Sequence, residues 1–238
     1  MRWVIILVVC AGAAFAGTAS VVGSWPSPAT TGIGGLALSG GYLYHAGGPS
    51  RNMVFVTTTG GSRVRSFGVA PEVAAVDLTF DPTSLWTCNA VGRVFRLDPS
   101  EGIIMASWYM PEAGQGIAYG GGLWWYASRD RIYKILATGS ILSSFYHPGR
   151  DFGGLDYADG YLWAVDRGMS QICQLTEGGS LVSSIQRPPG IYGITRTSGA
   201  GPAYIWYTDI PTRYVYQITA GYTPVAPASL GKIKALYR

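Results

Sequence analysis

The sequence predicts an all-β fold: a five-bladed β-propeller of four-stranded blades, closed by the N-terminal strand. Three observations carry this prediction. A pattern recurs about every 40 residues, apolar and polar residues alternate between turn signals, and the composition is rich in turn formers and poor in charge. The 238 residues include 34 glycines and 14 prolines, about a fifth of the chain, and only 13% are charged. Ordinary domains carry about twice that charge. With 48% hydrophobic and 13% aromatic residues the chain can fill a large core, which excludes disorder. The density of turn formers excludes coiled coils and helical bundles.

The repeat is a small–aliphatic pair, a short turn, then an aliphatic–aromatic pair. Gly35-Leu36 leads to Leu43-Tyr44, Ala75-Val76 to Leu85-Trp86, and Gly116-Ile117 to Leu123-Trp124. Gly154-Leu155 leads to Leu162-Trp163, and Gly193-Ile194 to Ile205-Trp206. The aromatic residues follow one another at 42, 38, 39 and 43 residues. Such a period marks a repeat architecture.

Each copy reads as four short strands. The first is Gly-Leu-Ala-Leu at 35–38 or Gly-Leu-Asp-Tyr at 154–157, followed by a turn such as Ser39-Gly40-Gly41, Asp81-Pro82-Thr83 or Asp159-Gly160. The second carries the aliphatic–aromatic pair. The third is Val94–Leu97, Ile132–Ile135 or Val215–Ile218, and the fourth resembles Ile141–Phe145, with a proline soon after at Pro71, Pro111, Pro148 or Pro188. Turn signals every 8–12 residues mark all-β structure, and four strands per ~40 residues is the arithmetic of a propeller blade. The fifth copy has three strands before dissolving at Tyr222–Pro227. Val21–Trp25 with Pro28 matches Leu181–Ile185 with Pro188, so the first mature strand completes the last blade and leaves no open edge.

The ends lie outside the repeat. Met1-Arg2, the apolar run Trp3–Ala13 and Ala14-Phe15-Ala16 read as a signal peptide over 1–16, too short for a membrane span. The propeller then occupies 17–221. Residues 222–238 form a tail in which Ser229 can cap a short amphipathic helix bearing Leu230, Ile233 and Tyr237. The expected location is extracytoplasmic, secreted or periplasmic, with no membrane span in the mature chain. Removing Arg2 leaves a net charge of +3, dispersed, which makes no case for nucleic acid. Cys10 leaves with the leader; Cys88 and Cys173 remain as buried thiols or as one bridge.

Residues 154–188 resemble the blades of secreted bacterial NHL and YVTN-type propellers, matching at Gly154-Leu155, Asp159-Gly160, Leu162-Trp163, Asp166, Gln171-Ile172, Ser184-Ile185 and Pro188. The chain also resembles, more distantly, the five-bladed exported glutaminyl-peptide cyclotransferases. Gly34-Gly35-Leu36 and Leu43-Tyr44-His45 align with that family's first-blade motif. The family's catalytic Glu falls on His45, its Gln on Gly34, and Phe152–Asp156 stands where its Asn-Glu-Leu-Glu would be. The resemblance implies related architecture without the same chemistry.

The repeated aromatic residues Tyr44, Trp86, Trp124, Trp163 and Trp206 are read as packing between blades. Three residues on stand Gly47, Asn89, Ala127, Asp166 and Asp209, which either close the following turn or contribute to a polar or calcium ligand set. Function is expected at the channel mouth, where loops entering the first strand meet loops joining the second and third. The first set offers Glu72, Glu112, Gln115, Arg150, Asp151 and Tyr192. The second offers His45, Arg51, Asn89, Arg129, Asp130, Asp166, Arg167, Asp209 and Arg213. From these, His45, Arg51, Glu72, Asn89, Gln115, Arg150, Asp151, Asp166, Tyr192 and Asp209 are the candidate binding residues, because they depart from the repeat and mix signs as a polar ligand requires. No catalytic motif, cofactor or metal site is read. The expected role is a binding or interaction module for a polar small molecule, peptide or protein. A propeller enzyme of cyclotransferase or lactonase/lyase type is the alternative.

Overall fold

The computed structural model describes residues 15–16, 19–29, 34–48, 52–199 and 203–220. Residues 1–14 of the expected leader, Arg51 and the expected tail helix lie outside the described residues. Strands β1 (Phe15–Ala16) and β2 (Ala19–Pro26) open the chain. The first blade is β3 (Leu36–Ser39), β4 (Tyr42–Ala46), β5 (Met53–Thr58) and β6 (Arg63–Gly68). The second is β7 (Asp77–Phe80), β8 (Leu85–Cys88), β9 (Arg93–Leu97) and β10 (Ile104–Tyr109). The third is β11 (Gly116–Gly120), β12 (Leu123–Ala127), β13 (Arg131–Ile135) and β14 (Ile141–Tyr146). The fourth is β15 (Phe152–Ala158), β16 (Tyr161–Asp166), β17 (Gln171–Leu175) and β18 (Leu181–Gln186). The fifth joins β19 (Ile191–Arg196), β20 (Tyr204–Asp209) and β21 (Tyr214–Ala220) to β2, so the ring of five antiparallel blades closes through the N-terminal strand as expected. Ala19 faces Ala220 and Pro26 faces Tyr214. β1 adds in parallel to the outer edge of the fourth blade. No helix occurs among the described residues.

The pairing register revises two alignments made from sequence. Tyr44, Trp86, Trp163 and Trp206 oppose Ala37, Thr79, Asp156 and Thr195, but in the third blade the residue at that level, opposite Ala118, is Trp125. Trp125 stacks on Tyr157 of the next blade at 6.2 Å, whereas Trp124 faces backward, 4.9 Å from Trp86. Two adjacent tryptophans made the positions interchangeable by type; their opposite sides of the strand separate them. Two residues before the strand-one partners stand Gly35, Asp77, Gly116, Gly154 and Gly193. The counterpart of Gly35-Leu36 is therefore Asp77-Leu78, not Ala75-Val76.

Blades lock by one repeated wedge. An aromatic residue of four of the five outer strands lies over the glycine of the next blade's outer turn: Trp25 on Gly61, Phe67 on Gly102, Trp108 on Gly139 and Phe145 on Gly179. A Cβ on Gly139 would stand 2.4 Å from the Trp108 ring, so a side chain is excluded by space as well as by its φ of 84°. Apolar residues between blades form the cores, such as Ala118, Trp125, Leu155 and Leu162 between the third and fourth, or Trp163, Ile194 and Ile205 between the fourth and fifth.

Candidate functional site

The axis of the ring is occupied by one acid. Asp77 is fully buried, and its Oδ2 accepts the amides of Ile117 and Leu155, each at 2.9 Å. It fits because its four counterparts are glycines. A Cβ on Gly35 would lie 1.7 Å from Asp77 Oδ1, one on Gly193 2.6 Å from Gly35 Cα, and one on Gly154 2.9 Å from Gly193 Cα. Burial pushes the Asp77 carboxyl well above its ordinary range, against the pull of the amides that bond it. Its Oδ1 has no hydrogen-bond partner. Sequence reasoning missed this residue because the second blade was aligned two positions early; a lone Asp among four glycines was the available signal.

The upper face comprises the loops entering the innermost strands and the turns joining second to third strands. There Tyr192 of β19, 8% exposed, donates its hydroxyl to Gln115 Oε1 at 3.3 Å. The Arg167 guanidinium lies 5.3 Å from the Tyr192 ring centre and bonds Asp151 Oδ1 at 2.7 Å. Its Nε is buried without a partner. Behind it Arg150 bonds the buried Asp166 at 2.6 Å, which holds the guanidinium above its ordinary pKa, and approaches Cys173 Sγ at 3.9 Å. Gln115, Arg150, Asp151, Asp166 and Tyr192 are thus brought together, and Arg167 joins them.

The remaining candidates go elsewhere. Asn89 closes its turn, accepting the Val91 and Arg93 amides at 3.2 and 2.8 Å and donating to the Glu72 carbonyl; the Glu72 side chain is not part of this contact. Asp209 accepts the Thr212 amide at 2.9 Å, and Asp166 accepts that of Met169 at 3.1 Å, so the turn-closing role of this position holds. His45 must be corrected. It is 1% exposed inside the first blade, bonded through Nε2 to Thr57 Oγ1 at 2.8 Å, and is not a mouth residue. Burial lowers its pKa to about 3, so it is neutral. Placing a strand residue in the adjoining loop set produced the error. Cys88 and Cys173 are buried free thiols, the latter pushed up to about 12 by burial. Among the described residues no three His, Cys, Asp or Glu side chains gather as metal ligands.

The lower face, where first-to-second-strand hairpins turn, opens into a cavity of about 130 Å³ lined by Thr79, Tyr119, Asp156, Tyr157, Thr195 and Arg196 among others. Asp156 Oδ2 and Arg196 Nε are buried there without partners. Burial raises the Asp156 carboxyl to about 7. Arg196 pairs with Asp159 and lies 4.8 Å from the Trp163 ring centre.

No protein-family model and no curated protein sequence matches the chain. Solved structures do match in fold. Glutaminyl cyclase of Myxococcus xanthus is 15% identical with a TM-score of 0.72, covering 84% of this chain and 95% of that one. Virginiamycin B lyase of Staphylococcus aureus is 17% identical with a TM-score of 0.55, covering 82% of each chain. A streptogramin B lyase is 21% identical with a TM-score of 0.52, covering 87% and 74%. At these identities the likeness shows the propeller fold alone.

Proposed function

We propose that the chain is an exported binding module, related in its repeat to the NHL and YVTN-type propellers, that takes a polar small molecule or peptide on its upper face. The observation that supports this most is the junction of Gln115, Asp151, Arg167 and Tyr192, drawn from three blades into one chain of contacts. A ligand carboxylate or carbonyl can exchange with Asp151 for the Arg167 fork, while Tyr192 and Gln115 orient a second polar group. Turnover is the weaker reading at this face. Asp151 and Asp166 are each engaged by an arginine, and His45 is buried and neutral elsewhere.

The test is a thermal-shift screen of peptides, sugars and divalent metals against the mature protein and its Arg167→Ala and Tyr192→Phe variants. A stabilising ligand whose shift falls in both variants supports the reading. A ligand whose shift is unchanged in both overturns it, as does a screen without any stabilising ligand.

A further inference from the structure

The lower cavity stands on its own observations, independent of the upper face. The five residues opposite the repeated aromatics are Ala37, Thr79, Ala118, Asp156 and Thr195. The two threonines join neighbouring blades: Thr79 Oγ1 accepts the Tyr119 amide and Thr195 Oγ1 accepts the Leu38 amide, each at 3.1 Å. Asp156 makes the equivalent bond to the Arg196 amide and also bonds the Tyr157 amide and the Thr195 hydroxyl. A threonine serves that purpose in two other blades, so Asp156 Oδ2, buried without a partner on a residue that lines the cavity, is surplus to the joint.

We propose that this cavity is a binding site for a small organic cation with a primary ammonium head, with Asp156 as its counter-ion. The charges facing it decide the sign. Arg196 is met by Asp159, and Lys134 is met by Glu177, which also accepts the Tyr157 hydroxyl. Ionised Asp156 therefore leaves the lining with one net negative charge, which repels an anion and is balanced by a monocation. The hydroxyls of Thr79 and Ser198 in the lining offer further acceptors. The volume admits a head of a few heavy atoms.

Because the free carboxyl titrates at about 7, ammonium binding draws on the ionised form and tightens with pH. Carboxyl ¹³C NMR of Asp-labelled protein reads this directly, with ethylammonium chloride as probe and sodium chloride and acetamide at matched concentration as controls. Ethylammonium is expected to shift resonances around the cavity, lower the Asp156 pKa, and bind about tenfold more tightly at pH 8 than at pH 6. Asp156→Thr, which keeps the interblade bond, is expected to lose the response. An equal response to sodium or acetamide, an unmoved Asp156 pKa in the wild type, or a response retained in Asp156→Thr overturns the proposal. The wild-type pKa measurement stands even where the variant fails to fold.

Discussion

Asp77 and Leu155 meet across the axis of the ring, the carboxyl oxygen accepting the amide at 2.9 Å although 78 residues of chain separate them. The same oxygen takes the Ile117 amide, so one side chain ties the second blade to the third and fourth. Gly35→Ala places a methyl group against Asp77 and is expected to destabilise strongly. Asp77→Gly leaves two buried amides unpaired, at roughly 1–3 kcal/mol each. In urea denaturation the double variant is expected to be more stable than the sum of the singles by about 1–3 kcal/mol, because Asp77→Gly removes the carboxyl part of the clash and leaves only the 2.5 Å approach to the residue-77 Cα. Simple additivity would refute this.

The outer wedge is tested by two glycines of similar backbone. A Cβ on Gly122 (φ 76°) would meet nothing within 4 Å, whereas one on Gly139 (φ 84°) would face Trp108. Gly122→Ala is expected to cost about 1–2 kcal/mol from backbone conformation alone. Gly139→Ala adds roughly 1–3 kcal/mol of overpacking. Equal losses of melting temperature would show that the wedge does not constrain the turn.

Buried His45 gives stability a pH signature. Its folded pKa of about 3 lies below the unfolded value near 6.5, so its contribution is present above pH 6.5 and is lost as pH falls toward 3. His45→Gln removes that titration and can keep a bond to Thr57. Between pH 6 and 4 the variant is expected to lose less stability than the wild type, by on the order of 1 kcal/mol per pH unit. Parallel stability curves would contradict the burial.

No cyclisation of N-terminal glutaminyl peptides is expected from the purified protein. The position aligned with the cyclotransferase general acid/base is His45, which is enclosed in the first blade and bonded to Thr57. A base must reach the proton it moves, and this one has no solvent path. Cyclisation lost in His45→Ala but kept in Cys88→Ala would reverse the conclusion.

The closing strand supplies the last prediction. β2 covers β21, and its Trp25 rests on Gly61 of the first blade. Removing residues 17–28 is expected to expose a sheet edge and produce aggregation, visible by light scattering. A soluble truncation with unchanged melting temperature would show that the ring does not depend on this closure.

The sequence by itself determined the number of blades, their four-strand make-up and the origin of the closing strand. These depend on local signals, alternation and turn residues repeated about every 40 residues, and repetition makes each copy a check on the others. Val21–Trp25 was readable as the missing fourth strand for that reason. Within a blade the signal was weaker: Trp124 and Trp125 differ by one residue and so by one face of the strand, and only pairing with Ala118 and contact with Tyr157 distinguish them. The turn-closing role of Asn89, Asp166 and Asp209 was legible because it is satisfied within a few residues. Asp77, Asp156 and the joining of Gln115, Arg167 and Tyr192 were decided by the tertiary structure. Their partners lie on other blades, 40 to 78 residues away in the case of Asp77, and burial, which raises the carboxyl pKa of Asp77 and Asp156, is a property of the closed ring.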